Sequence, residues 1–244
     1  MERRALLAGA AGAALGLTGC AGAQRAVGGR PAVPSWSRTV HTQPHGTVYW
    51  GGAGLDGAYV EGTLQALRDA GVENVSTGQV DTARRNFPQI GMFLDALRAG
   101  TSLREEDTGD WVLAPPPQAT SGAFNLIGYS YGSLIAAQTA AYHARHGFTV
   151  DCVVLIGSPI GPGLLATLRA HPRIGRVLVI DLAEHGDPIR AGMPQGELTQ
   201  ATPLLVRQML AQRGEGHFHY AVEGATGRQR WAALAARLRD AGLR

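Results

Sequence analysis

Residues Gly128-Tyr129-Ser130-Tyr131-Gly132 hold a serine between two glycines. The apolar run Phe124-Asn125-Leu126-Ile127 precedes them and the small, apolar run Ser133-Leu134-Ile135-Ala136-Ala137-Gln138 follows. The first run predicts a short strand and the second a helix, with no spacer between them. Such a turn sets the Ser130 hydroxyl above the end of a sheet, with the N-terminus of the next helix aimed at it. Glycine on either side removes the side chains that would keep strand and helix apart. The bland alternative, a serine that only caps a helix, does not account for the strand running straight into the turn. The chemistry such a serine offers is nucleophilic attack. A hydroxyl is a poor nucleophile until a base takes its proton, and the base needs an acid partner to hold its tautomer. Downstream of Ser130 the chain supplies carboxylates in Asp181, Glu184 and Asp187 and imidazoles in His217 and His219. On a strand the two histidines would share a face, so spacing does not choose between them.

These residues need a scaffold, and the apolar pattern predicts one. Thr47 to Trp50 reads as a short strand that breaks into Gly51-Gly52-Ala53-Gly54. Helical spacing of Leu64, Leu67 and Ala70 predicts a helix over 59–70, and a second strand is expected over 72–76. Ile90, Phe93, Leu94 and Leu97 predict a helix over 87–99, before a polar, Pro-rich excursion over 100–121 that is too long for an ordinary connection. After the Ser130 turn and its helix come continuous apolar strands over 152–156 and 177–182. Helices are expected over 164–170, 199–212 and 228–241, with 218–222 as a candidate last strand. Strands that alternate with helices and are apolar on both faces argue an α/β fold with a mostly parallel sheet between helices. Functional loops of such a sheet collect at the carboxyl ends of its strands.

Gly128-Tyr129-Ser130-Tyr131-Gly132 in this strand-to-helix setting resembles the nucleophile elbow of the α/β-hydrolase superfamily. The resemblance implies a Ser, Asp or Glu, His order of catalytic residues along the chain, which this sequence permits. Asp187, in Gly186-Asp187-Pro188, resembles the position from which family members present their acid, with Asp181 and Glu184 as alternatives. The Gly216-His217-Phe218 setting resembles the histidine loop of many serine hydrolases and puts His217 ahead of His219. The oxyanion of a tetrahedral intermediate requires two N–H donors. Family likeness assigns them to Tyr131, which follows the nucleophile, and to Gly52 in the glycine-bearing loop after Trp50, with Ala53 second. Compared with the family plan, the leading antiparallel strands are missing and no cap insertion follows the 152–156 strand. The implied form is a minimal, uncapped α/β-hydrolase fold with an open site. Tyr49, Trp50, Tyr59, Tyr129 and Tyr131 are expected around its mouth, favouring an acyl or lipid ester.

Glu2-Arg3-Arg4 followed by apolar and small residues to Thr18 reads as a secretory signal over 1–19, too short to span a bilayer. Leu17-Thr18-Gly19-Cys20 resembles the lipobox of bacterial lipoproteins, which implies lipid attachment at Cys20, a membrane partner and an envelope location. An Ala-, Gly- and Pro-rich stretch to residue 43 reads as a tether, leaving one domain over 44–244. The chain carries a net charge of +3, and all 22 of its basic residues are arginine. They are scattered singly or in pairs, which argues against a nucleic-acid groove. Cys152, the second of two cysteines, lies in an apolar run and reads as a core residue. Neither a metal nor a cofactor is expected. His143 and His146, the one zinc-like spacing, read as an exposed helical pair, and the absence of lysine rules out a phosphate loop of the Walker type. The expected activity is hydrolysis of a carboxylic ester or thioester through an acyl-enzyme, as in esterases, lipases and phospholipases. The alternatives are an acyltransferase of the same fold and a non-catalytic, lipid-anchored binding protein.

Overall fold

Five of the runs rich in β-branched and aliphatic residues pair into one sheet in which every strand points the same way. In this computed structural model, which describes residues 38–52, 57–82, 111–113, 122–211 and 213–244, it has the order β3-β2-β6-β7-β8. The strands are β2 (Gly46–Trp50), β3 (Val75–Thr77), β6 (Phe124–Tyr129), β7 (Val150–Ile156) and β8 (Ile174–Ile180). The expected signal segment, Cys20, Ala53, the helix over 87–99 and most of the 100–121 excursion lie outside the described residues.

Alternation along the strands divides the core in two. Val48, Trp50, Leu126, Val153 and Leu155 face one way, against helices α2 (Tyr131–Arg145) and α3 (Pro162–Ala170). Tyr49, Ile127, Tyr129, Cys152, Val154 and Ile156 face the other way, against α1 (Ala58–Asp69) and α5 (Gly224–Asp240). A sheet buried on both faces explains why β6 and β7 read as continuous apolar runs. The helices follow the same logic. In α5 the buried positions Gly227, Trp231, Leu234, Ala235 and Leu238 recur at helical spacing and form one stripe. Almost every residue of α2 is buried, and its alanines let it lie close to the sheet.

The chain runs outward from β2 to β3 and then returns to the opposite side of β2 to place β6, β7 and β8. The direction of winding therefore reverses between β2 and β6, and a crevice opens at the carboxyl ends of neighbouring strands at such a reversal. Register brings Trp50 opposite Gly128, Tyr129 opposite Ile156, and Ile156 opposite Ile180. The loops that begin at Gly51, Ser130, Gly157 and Asp181 thus leave the sheet at one edge.

Three expectations are corrected. Arg38–His41 (β1), inside the stretch read as a tether, pairs antiparallel with Gln79–Thr82 (β4) and parallel with Trp111–Leu113 (β5). An antiparallel strand pair therefore exists; four-residue strands with distant partners are too short to carry a periodic signal. The candidate strand over 218–222 is instead a 3₁₀ turn, Gly216–Phe218, and the chain that follows it. Gly216 has φ +56°, a conformation that strands do not use. Strand β8 starts and ends earlier than expected, so Asp181 and Leu182 leave the sheet. Helix α4 (Gln195–Ala211) follows the acid loop and packs over the 3₁₀ turn through Leu205 and Phe218. Among the described residues, no helix is long and apolar enough to cross a membrane.

Candidate active site

Ser130 sits at the junction of β6 and α2 with φ 54° and ψ −121°. For a residue with a Cβ this conformation costs of order 1–3 kcal/mol and persists only when its surroundings dictate it. The backbone around it does so. Ser130 N–H donates to the Ile156 carbonyl at 2.8 Å, and the Ser130 carbonyl accepts from Ser133 N–H at 3.0 Å and from the Ser133 hydroxyl. The flanking glycines are required by contact with backbone. A side-chain carbon on Gly128 would lie 2.3 Å from the Gly132 carbonyl oxygen, and one on Gly132 would lie 2.2 Å from the Gly51 oxygen and 2.4 Å from that of Trp50. Gly132 therefore allows the loop after β2 to rest directly on the serine turn.

The Ser130 hydroxyl meets His217: Oγ and Nε2 are 2.6 Å apart. On the far side of the ring, His217 Nδ1 is 2.9 Å from Asp187 Oδ2. The other carboxylate oxygen of Asp187 accepts from Ile189 N–H at 2.8 Å, which fixes the carboxylate plane. The His217 and Asp187 side chains are 4% and 0% exposed, so water scarcely competes for either contact. Gly157, with φ +50°, makes room for the pair: a side-chain carbon there would stand 3.2 Å from Asp187 Oδ2 and 3.5 Å from His217 Cε1. Three loops from the ends of β6, β8 and the α4–α5 connection thus converge on one serine.

The alternative acids and base lie elsewhere. Asp181 Oδ1 accepts from Ala191 N–H at 2.9 Å and closes the loop between them. Glu184 is exposed and pairs with His185 at 3.5 Å. The His219 ring stacks on that of His185, with centroids 3.6 Å apart and planes 3° apart. Burial, Arg230 and His185 push His219 down to about 4.

Two further residues support the site, and neither was assigned this role from the sequence. Gln208, on α4, accepts from His217 N–H at 3.0 Å through its carbonyl and donates to the Gly186 carbonyl at 2.8 Å through its amide. It ties the loop that carries the histidine to the loop that carries the aspartate. Tyr129, beside the serine, donates its hydroxyl to the His217 carbonyl and lays its ring near-parallel to the imidazole at 6.0 Å. Burial, with Tyr59, Tyr49 and Asp187 nearby, raises its phenol well above the ordinary range and keeps it a donor. A glutamine on an amphipathic helix is ordinary in sequence; only the fold brings it to these loops.

The oxyanion assignment divides. Tyr131 opens α2, so its N–H belongs to the first turn, whose donors point out along the axis. Gly52 does lie beside the nucleophile, with a side-chain carbon there falling 3.4 Å from Ser130 Cβ. Its N–H, however, donates to the Tyr59 hydroxyl at 2.6 Å. The aromatic mouth is a second correction. Tyr49, Trp50, Tyr59, Tyr129 and Tyr131 are all buried, because their strand and helix positions point them into the two cores. His143 is likewise core and not an exposed helical residue. Cys152 is buried, and burial pushes its thiol up to about 11, where it is inert as a nucleophile. Among the described residues, no cluster of three or more His, Cys, Asp or Glu side chains is arranged to hold a metal ion. Neither family models, nor curated proteins, nor solved structures yield a match to this chain.

Proposed function

We propose that this protein is a serine hydrolase of the α/β-hydrolase type that cleaves carboxylic esters or thioesters through an acyl-enzyme on Ser130. The observation that carries the reading is the continuous path from Ser130 Oγ through the His217 ring to the Asp187 carboxylate, mounted on a strained turn at the edge where the winding of the sheet reverses. His217 Nε2 takes the hydroxyl proton as Ser130 attacks the acyl carbon, and then gives it to the departing alcohol or thiol. Asp187 holds the proton on Nδ1, so that Nε2 stays an acceptor. A water molecule, activated by the same imidazole, releases the acid. Acyl transfer to another alcohol would use the same steps with that alcohol in place of water.

Export and lipid attachment through Cys20 belong to the proposal on the strength of the lipobox-like Leu17-Thr18-Gly19-Cys20. They would hold the enzyme at a membrane of the cell envelope, close to acyl lipids.

A fluorophosphonate probe tests the central claim. The wild-type protein should be labelled at Ser130 and should hydrolyse a short p-nitrophenyl ester, and Ser130→Ala should lose both. A folded wild type that neither reacts nor turns over would instead favour the binding protein. Retained lipidation and processing in Cys20→Ser would remove the anchor assignment.

A further inference from the structure

We propose that Ser133 and Ser158 position the nucleophile: their buried hydroxyls form a relay that clamps the Ser130 carbonyl to the β7–α3 loop and so fixes the torsion that aims Ser130 Oγ at His217. The inference rests on the hydrolase reading above. Both side chains are 0% exposed, Ser133 in the first turn of α2 and Ser158 just beyond the end of β7. Their oxygens are 2.7 Å apart. Ser133 Oγ also meets the Ser130 carbonyl, and Ser158 Oγ accepts from Ile160 N–H at 3.3 Å. A hydroxyl has one proton to give and two lone pairs to receive. The carbonyl can only accept, so the Ser133 proton lies on it, and Ser158 gives its own proton to Ser133. Every link then runs one way, from Ile160 N–H through Ser158 and Ser133 to the Ser130 carbonyl, and hydrogen bonds in series strengthen one another.

The Ser130 carbonyl is where such a clamp matters. With φ 54° and ψ −121° the residue is strained, and a strained backbone keeps its shape only when its surroundings over-determine it. Its N–H is tied to the Ile156 carbonyl at 2.8 Å. Ser133 N–H, 3.0 Å from the Ser130 carbonyl, belongs to α2 and would move with that helix. Ser158 belongs instead to the loop that leaves β7, so the relay ties the carbonyl to the same segment that holds the N–H. Both polar groups of the Ser130 backbone are thereby referred to residues 156–158, and the Cα–Cβ bond between them has its direction set. That direction decides the 2.6 Å approach of Oγ to His217 Nε2. Packing alone does not ask for hydroxyls here. Alanine would keep the carbon skeleton at either position, and a buried polar group is costly unless it is hydrogen-bonded.

The rate of fluorophosphonate labelling reads the nucleophile directly. Ser133→Ala should slow the maximal labelling rate by about ten- to a hundredfold, the scale set by a small misplacement of reacting groups, while the half-saturating probe concentration stays within about twofold. Ser158→Ala should slow labelling in the same direction. The double variant Ser133→Ala/Ser158→Ala should be no slower than Ser133→Ala alone, because one hydroxyl acts through the other. A merely structural role would lower the melting temperature and leave the labelling rate of the folded protein unchanged well below the melt. That result, or losses that multiply in the double variant, would overturn the inference. Should Ser133→Ala not fold, Ser158→Ala carries the test alone, and a wild-type labelling rate in it has the same force. Wild type separates the two levels. If its Ser130 reacts and the variants match it, only the relay falls; if Ser130 does not react, the hydrolase reading falls and takes the relay with it.

Discussion

The side-chain amide of Gln208 occupies the place where Gly216 has no side chain: a carbon added to Gly216 would lie 2.3 Å from Gln208 Nε2. From there the glutamine holds both His217 N–H and the Gly186 carbonyl, so the spacing between base and acid depends on a residue whose hydrogen bonds go to the backbone of the two loops. Gly216→Ala would expel the amide and would also place a Cβ at φ +56°. We expect it to cost about 1–3 kcal/mol of stability, measured by denaturant unfolding. Gln208→Ala, which leaves the glycine intact, should lower kcat/KM by about tenfold, equivalent to one lost positioning interaction of ~1.4 kcal/mol. Unchanged kinetics in Gln208→Ala would remove it from any positioning role.

The choice among carboxylates is open to a direct comparison. Asp187→Asn should lower kcat by on the order of 10⁴, because the amide favours the wrong histidine tautomer. Asp181→Asn keeps an oxygen for Ala191 N–H and should leave kcat within about twofold, a ~0.4 kcal/mol change in barrier. Equal losses in the two variants, measured by ester turnover, would contradict the assignment of the acid to Asp187.

Glycines of the elbow and of the surface should respond in opposite ways. Gly132→Ala drives a carbon to 2.2 Å from the Gly51 oxygen, and neither backbone can yield without opening the turn. Loss of folding or of all activity is expected. Gly163, in the first turn of α3, has nothing within 4 Å of the added carbon. Gly163→Ala should be neutral or stabilising by up to about 1 kcal/mol. Thermal melts of the pair check this, and a native-like melt for Gly132→Ala would show that the close approach is dispensable.

His143 gives the fold an acid sensitivity of known sign. It is fully buried in α2 beside Phe124, Tyr142 and Phe148, and burial, with His146 adding, lowers it from 6.5 to about 4. Its folded pKa lies below its unfolded one, so between these values the unfolded chain binds more protons and stability falls as the pH is lowered. The contribution is fully present above about pH 6.5 and is lost toward pH 4, and His219 acts in the same direction. His143→Leu should flatten the decline in stability between pH 6.5 and 4, followed by urea unfolding across that range. An unchanged slope would mean that other groups dominate the acid response.

Local sequence was enough for whatever depends on near neighbours. The strand, Ser130 and helix of the elbow announce themselves because glycines must stand where backbones touch, and the apolar runs of β6 and β7 declare a sheet covered on both faces. The candidate acids and histidines are legible as a set, since their chemistry and order along the chain are visible, and the resemblance of their settings to those of serine hydrolases is what favours Asp187 and His217 within it. Three-dimensional packing decided the remainder. It joined Asp187 to His217 and sent His219 to stack on His185, a difference of two residues on a short turn whose direction depends on the positive φ of Gly216. It turned the five expected mouth aromatics into core and brought Gln208 across from α4. It also gave the Gly52 N–H to Tyr59. These outcomes depend on contacts between segments far apart in the chain, and such contacts leave no periodic mark on either partner.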